Sequence, residues 1–280
     1  MIKLKLSLLF LLISLTAFSQ KEVDLNKKGI ELAKKGKIEK AFDLFNQAIE
    51  ANPEFSNAYS NRGNVFRMQK NYDLAIKDYS KSIELNPKNF SVIYSRANTY
   101  LDKEDFENAI KDYSIIINQN PSFEDIYFDR AYANIRHENY SEAKTDLESQ
   151  LEINPKDFKS LANLINLKTK LELFDEALID YEKILTEYPN QPNLHILYNN
   201  RATLYQDIND LQKALEDINI ALKLNRNYDI GFLNRAGIHL KLENKKQACK
   251  DYKKALKFGV LENDHFKADE DYEKLKDNCQ

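Results

Sequence analysis

Five prolines set the frame of this chain. Pro53, Pro87, Pro121, Pro155 and Pro189 stand 34 residues apart. Ala41, Ala75, Ala109, Ala143 and Ala177 keep the same interval, and Ala214 and Ala248 resume it after one three-residue insertion. Four residues after each alanine comes a large side chain: Phe45, Tyr79, Tyr113, Leu147, Tyr181, Ile218 or Tyr252. Twelve residues before most of the alanines comes a small one: Gly29, Gly63, Ala97, Ala131, Ala202 and Ala236. A period of this length marks a row of like supersecondary units, each too small to bury a core without its neighbours.

The slots read as paired helices. Residues four apart share a helix face, so each alanine and the large residue after it lie one above the other. The small residue in a first helix lets the second approach closely, and the alanine answers it. Proline ends the second helix because it lacks an N–H and restrains the residue before it. This pattern resembles the tetratricopeptide repeat family, whose unit is two antiparallel helices, in its exported, Bacteroidota-like bacterial form. The resemblance covers seven units: 22–55, 56–89, 90–123, 124–157, 158–191, 195–228 and 229–262. It implies an all-α fold, a right-handed superhelical solenoid of antiparallel helix pairs (an alpha-alpha superhelix). A composition of 42% hydrophobic and 30% charged residues can build the apolar seams such a row needs.

Departures from the frame carry expectations of their own. Ile165 fills the small-residue slot of the fifth unit, which predicts wider packing there. The insertion 192–194 follows units one to five (22–191) and precedes units six and seven (195–262). Arg226 and Val260 replace the closing proline. Together these predict a bend or loosened seam near residues 186–197, a place where the array would divide. A charge pattern overlies the repeat. Arg62, Arg96, Arg130, Arg201 and Arg235 each precede by sixteen residues an aspartate, namely Asp78, Asp112, Asp146, Asp217 and Asp251. The spacing predicts an ion pair between the helices of each unit, with an acidic ligand as the alternative partner. Asp180 stands without its arginine, because Leu164 fills that slot.

The two ends fall outside the repeat. Lys3 and Lys5 precede an apolar run to Phe18, with Ala17 and Ser19 as small residues before a cut, so 1–19 reads as a signal peptide. That run is shorter than the ~20 residues a membrane span needs, although an uncleaved anchor is the alternative. Export then implies a periplasmic or secreted protein without stable membrane insertion. The net charge of −3, or −5 once Lys3 and Lys5 are removed, offers no basic field for nucleic acid. Residues 263–280 read as a C-terminal capping helix, with Phe266, Tyr272 and Leu275 on one face. Cys249 and Cys279 would be joined by a disulfide in an exported chain, or remain two free thiols.

No catalytic residue, metal ligand or cofactor site is expected. His137, His195, His239 and His265 are scattered, and the sequence holds no H-E-x-x-H pair, nucleophile elbow or phosphate-cradling glycine loop. In the family resembled, first helices line a concave groove that holds a protein or peptide partner. Carried over by position, that groove would present Asn61, Asn64, Tyr94, Ser95, Asn98, Phe128, Tyr132, Asn163 and Asn166. Asparagine amides at this spacing could hold a peptide backbone with little regard for its sequence, and the aromatics could anchor it. The asparagines could equally bond neighbouring helices to each other. A clamp for the acidic C-terminus of heat-shock chaperones needs cations at fixed first-helix slots. Here those slots hold Asn26, Ile30, Asn61, Ser91 and Ser95, of which only Asn61 fits, and a one-unit shift meets Asp125 and Asp129. The sequence therefore predicts a non-enzymatic scaffold that binds an extended partner segment. A structural assembly factor working through its convex face or ends is the alternative, and an enzyme is the least favoured reading.

Overall fold

The computed structural model describes residues 21–123, 125–260 and 270–279. Residues 1–19, expected as a signal peptide, lie outside those residues together with His265, Phe266 and the side chain of Tyr272. Among the described residues all regular structure is helical. First and second helices alternate as α1 (21–34), α2 (Ile38–Ala51), α3 (Ser56–Met68), α4 (Tyr72–Leu85), α5 (Phe90–Asp102), α6 (Phe106–Gln119), α7 (Ile126–Arg136) and α8 (Tyr140–Ile153). They continue as α9 (Phe158–Lys170), α10 (Phe174–Glu187), α11 (Leu194–Asp207), α12 (Leu211–Leu224), α13 (Asp229–Lys241), α14 (Lys245–Phe258) and α15 (Glu270–Asn278). The chain forms two compact units that divide between Ile153 and Asn154.

One backbone device joins the helices of every pair. A residue with left-handed φ stands in each turn: Gly36, Lys70, Glu104, Glu138, Glu172, Asn209 and Glu243. The next residue's N–H reaches back five residues, as from Asn71 to the Phe66 carbonyl (2.8 Å) and from Asp105 to that of Tyr100 (2.8 Å). This is the Schellman closure, which satisfies carbonyls left open at a helix end. Second helices end differently. Asn52, Asn86 and Asn120 take extended backbone angles, the conformation the following proline imposes. Asn225 has the same extended form although Arg226 follows it, and its Oδ1 accepts from the Asn227 N–H at 3.2 Å. That local side-chain turn keeps the geometry without proline.

In the first unit the frame residues meet as the periodicity predicts. Ala41, Ala75, Ala109 and Ala143 are fully buried, and Phe45, Tyr79, Tyr113 and Leu147 fill the gaps beside them. Each such large side chain contributes about 1.5–3 kcal/mol through burial. Arg62, Arg96 and Arg130 each bond both oxygens of Asp78, Asp112 and Asp146. Their remaining nitrogen donates to the second helix of the preceding repeat, at Asn46, Ser80 and Ser114 (2.8–2.9 Å). Each arginine thus ties three helices together.

The second unit repeats the plan with two alterations. Ala177, Ala214 and Ala248 are buried, and Arg201 and Arg235 hold Asp217 and Asp251. Arg235 also reaches Asn219, whereas the matching slot for Arg201, five residues after Ala177 and across the three-residue insertion, is Glu182. Ile165 is fully buried, and α9 and α10 pack less extensively than the other pairs, as its bulk predicts. The aspartate without an arginine does have a cation. Lys168, one turn beyond Leu164 on α9, reaches Asp180 at 2.7 Å and Glu176 at 3.3 Å. The stretch 186–197, expected to divide the array, lies inside this unit, where α10 and α11 touch sparingly. Helix α15 packs on α13 and α14, with Leu275 buried among their apolar residues. Cys249 and Cys279 are brought to disulfide-bonding distance, Cα to Cα 5.1 Å.

Candidate partner-binding surface

Seven of the expected groove residues lie on α3, α5 and α7 of the first unit, and Asn163 and Asn166 lie on α9 of the second. The first set is built upward from the core. The hydroxyl of buried Tyr79 donates to Asn64 Oδ1 at 2.7 Å, and that of Tyr113 donates to Asn98 Oδ1 at 2.8 Å. Burial pushes the Tyr79 hydroxyl up to about 12, so it stays a proton donor. Each bond occupies the amide oxygen and fixes the side chain, which leaves the Nδ2 hydrogens as the available donors. Asn64 is exposed and its Nδ2 has no acceptor among the described residues, whereas half-buried Asn98 also gives a hydrogen bond to the Tyr94 hydroxyl, which leaves it one amide hydrogen.

Other members are spent on joining first helices. Asn61 Nδ2 donates to Asn26 Oδ1 across the α1–α3 seam at 2.8 Å. The Tyr94 hydroxyl donates to Asp129 on α7 at 2.7 Å, and its ring packs against Tyr113 and Phe123. Burial, then the bond to Asp129, pushes the Tyr94 hydroxyl up to about 12. Burial also raises the Asp129 carboxyl above its ordinary value, against the opposing effect of Tyr94. Ser95 bonds its own helix at the Ser91 carbonyl. Phe128 is half-buried, whereas Tyr132 stands 45% exposed with its hydroxyl accepting from Arg136. A cavity of ≈ 330 Å³ opens beside Asn64, lined by Asn64, Arg67, Met68 and Asp102. Met68, 67% exposed, gives it an adaptable apolar wall.

In the second unit, Asn163 donates to the Lys159 carbonyl of its own helix. Asn166 accepts from Asn200 of α11 at 3.3 Å. A further rung, Asn234 to Asn199 at 2.8 Å, joins α13 to α11. Asn26, Asp129, Asn199 and Asn234 are absent from the positional carry-over. Their rungs run between residues 35 apart, so a comparison at the 34-residue period places the partners in different slots. The helix-joining role is thus filled by Asn61 and Asn166, while Asn64 and Asn98 are tied to buried tyrosines instead.

Comparison with known proteins fits this arrangement. Sequence profiles described as tetratricopeptide repeat match residues 25–55, 56–89, 94–158, 196–228 and 231–258. Heat shock protein STI1 of Saccharomyces cerevisiae is 34% identical over 83 residues, 30% of this chain and 14% of its own length. RNA polymerase II-associated protein 3 of Mus musculus is 32% identical over 102 residues, 36% of this chain and 14% of its own. The chain thus matches only a small part of these curated relatives. A tetratricopeptide repeat protein from Parabacteroides merdae aligns over 93% of this chain and 98% of its own, with TM-score 0.61 and 24% identity. The C-terminal part of a repeat protein from Cytophaga hutchinsonii covers 91% of this chain and 99% of its own, with TM-score 0.72 and 17% identity. YrrB, a TPR protein with an unusual peptide-binding site, covers 67% and 95%, with TM-score 0.57 and 21% identity. At these identities the structures share the α-α solenoid fold.

Proposed function

The chain belongs to the tetratricopeptide repeat family, and from that premise we propose that it is a non-enzymatic scaffold holding an extended segment of a protein partner. The segment lies along the first helices of the first unit. One observation carries this reading: Asn64 and Asn98, on successive first helices, are each locked by a buried tyrosine, with both amide hydrogens of Asn64 and one of Asn98 left to donate. Packed helices lie about 8–10 Å apart, which is about three residues of extended chain. Two such donors can therefore meet main-chain carbonyls at a regular interval while side chains pass between them. Tyr132 and Met68, both well exposed, supply apolar contact at either end. Export of the chain, with cleavage after residue 19 and a Cys249–Cys279 disulfide formed outside the cytoplasm, belongs to the same proposal.

The heat-shock name of one relative is not carried over. Of the slots a carboxylate clamp would use, only Asn61 fits, and the cations are missing where Asn26, Ser91 and Ser95 stand. The test uses Asn64→Asp with Asn98→Asp, which keep an acceptor for the tyrosine hydroxyls while removing the outward donors, and Tyr132→Ala. Partner capture from native envelope fractions should weaken about tenfold, the loss of roughly 1.4 kcal/mol, with unchanged thermal melting. Undiminished capture by these variants, coupled with loss on charge reversal of second-helix residues, would transfer the function to the other side of the array.

A further inference from the structure

The seam between the sixth and seventh repeats departs from the frame in charge. At the residue three before the closing-proline slot, repeats one, two and four carry Glu50, Glu84 and Glu152, but the sixth carries Lys223. In the proline slot itself stands Arg226. These two side chains, with Lys254 of α14 and the clamp residue Arg235 of α13, surround an opening of ≈ 370 Å³. Its lining includes Leu222 and Phe232, only 7% and 6% exposed, and holds no carboxylate. The acidic partner of Arg235, Asp251, is itself buried, with 3% of its side chain exposed. Lys254 lies over the Phe232 ring, 4.8 Å from its centroid. Among the described residues no carboxylate pairs with Lys223, Arg226 or Lys254, in a chain whose net charge is −3. The other clamp arginines lack this company: the same slots around Arg96 hold Glu84, Pro87 and Ile115.

We propose that this opening, formed by α12, α13 and α14 and the turn between α12 and α13, is a binding site for an acidic, aromatic- or aliphatic-flanked segment of a protein. Its chemistry selects that ligand in two parts. Three unneutralised cations beside a fixed guanidinium make a local positive field that a carboxylate side chain discharges. The floor of Leu222 and Phe232 rewards an apolar neighbour of that carboxylate, which a bare oxyanion does not have. The size is that of a side-chain pocket and exceeds the needs of a single oxyanion. Rigid support comes from Arg235, whose Nη1 donates to Asn219 while its other nitrogens hold Asp251. The site shares no residue with the first-helix surface, so the two can be tested apart.

The probe is a labelled peptide of repeated Glu-Gly-Phe triplets, titrated against the full chain by fluorescence anisotropy. Binding should be saturable and weaken with salt. Lys223→Glu with Arg226→Glu should weaken it at least about tenfold with an unchanged melting profile. Asn64→Ala with Asn98→Ala should leave it as it was. A Gln-Gly-Phe peptide should not bind. Absence of binding, or equal binding by the charge-reversed variant, overturns the site. So does charge-dependent binding of inorganic phosphate or anionic phospholipid vesicles without binding of the peptide.

Discussion

A methyl group added at Gly63 would sit 2.9 Å from Cε1 of Tyr79, a side chain with no room to retreat because it is wholly buried. At Gly237 the same methyl would meet nothing within 4 Å. Alanine favours a helix interior by about 1 kcal/mol over glycine, whereas overpacking costs about 1–3 kcal/mol. Urea unfolding should therefore find Gly63→Ala destabilised by about 1 kcal/mol or more and Gly237→Ala stabilised by about 0.5–1 kcal/mol. The arginines offer a second contrast. Arg96→Ala leaves the Asp112 carboxylate, 4% exposed, without its partner, and should cost about 3–5 kcal/mol. Pairing Arg96→Met with Asp112→Leu should recover most of that loss, because no charge then stays buried. At this scale the packing slots were plain in the sequence: glycine, alanine and tyrosine recur at the period their contacts require. Lys168 could have been found as well, since it stands one turn from the slot that Leu164 leaves empty of charge. Tyr94 and Asp129 could not be found by slot comparison, because their rung is one residue out of phase with the repeat.

Helix ends show where pattern and backbone part company. All the turns within pairs use a left-handed residue, yet only Gly36 is glycine; the rest are Lys70, Glu104, Glu138, Glu172, Asn209 and Glu243. A non-glycine residue pays about 1–2 kcal/mol for that conformation, and glycine's extra unfolded-state entropy offsets about 0.5–1 kcal/mol of any gain. Glu172→Gly should therefore raise the stability of the second unit by up to about 1 kcal/mol, read from its urea midpoint. The turns were legible as interruptions between helices, but their conformation was not, because the usual glycine signal is missing. Helix α15 is held by Leu275 and by a cysteine pair 30 residues apart. Cys249→Ser should lower stability by about 3–4 kcal/mol in the chain-entropy account of a loop this long. Hydrogen exchange should show the loss in α13–α15 and leave α1–α8 unchanged.

For the whole chain, mild acid should weaken the second compact unit before the first, because the two buried histidines lie there. His195 and His239 in the second unit are held below their ordinary value of 6.5 by burial; for His239, Asp251 opposes that shift and Arg235 adds to it. Their share of stability is present above 6.5 and is lost as pH falls through the lower folded values. Burial raises Asp129 in the first unit and Asp207 in the second above 3.8, so their shares are present below that value and are lost as pH rises through the folded ones. Between pH 7 and 5, hydrogen exchange should therefore quicken in the second unit first, and a parallel change in both would count against these assignments. The all-helical class and the number of repeats were readable from period alone, since each slot recurs where helix geometry demands. The division between Ile153 and Asn154 was not, because it depends on how many side chains meet across each seam, and a repeat register is silent on that. The same limit applies to the partner: a framework shared across many proteins does not name it.

The central claim is that a partner segment lies along the first helices of the first unit. Site-specific photo-crosslinking in the native envelope tests it directly, with the reactive residue placed in turn at Asn64, Asn98 and Tyr132, and at Lys81 and Ile115 on second helices of the same unit. The account predicts that the three first-helix positions capture successive parts of one extended segment while the second-helix positions capture none of it. Crosslinks to that partner from Lys81 and Ile115 alone would contradict it.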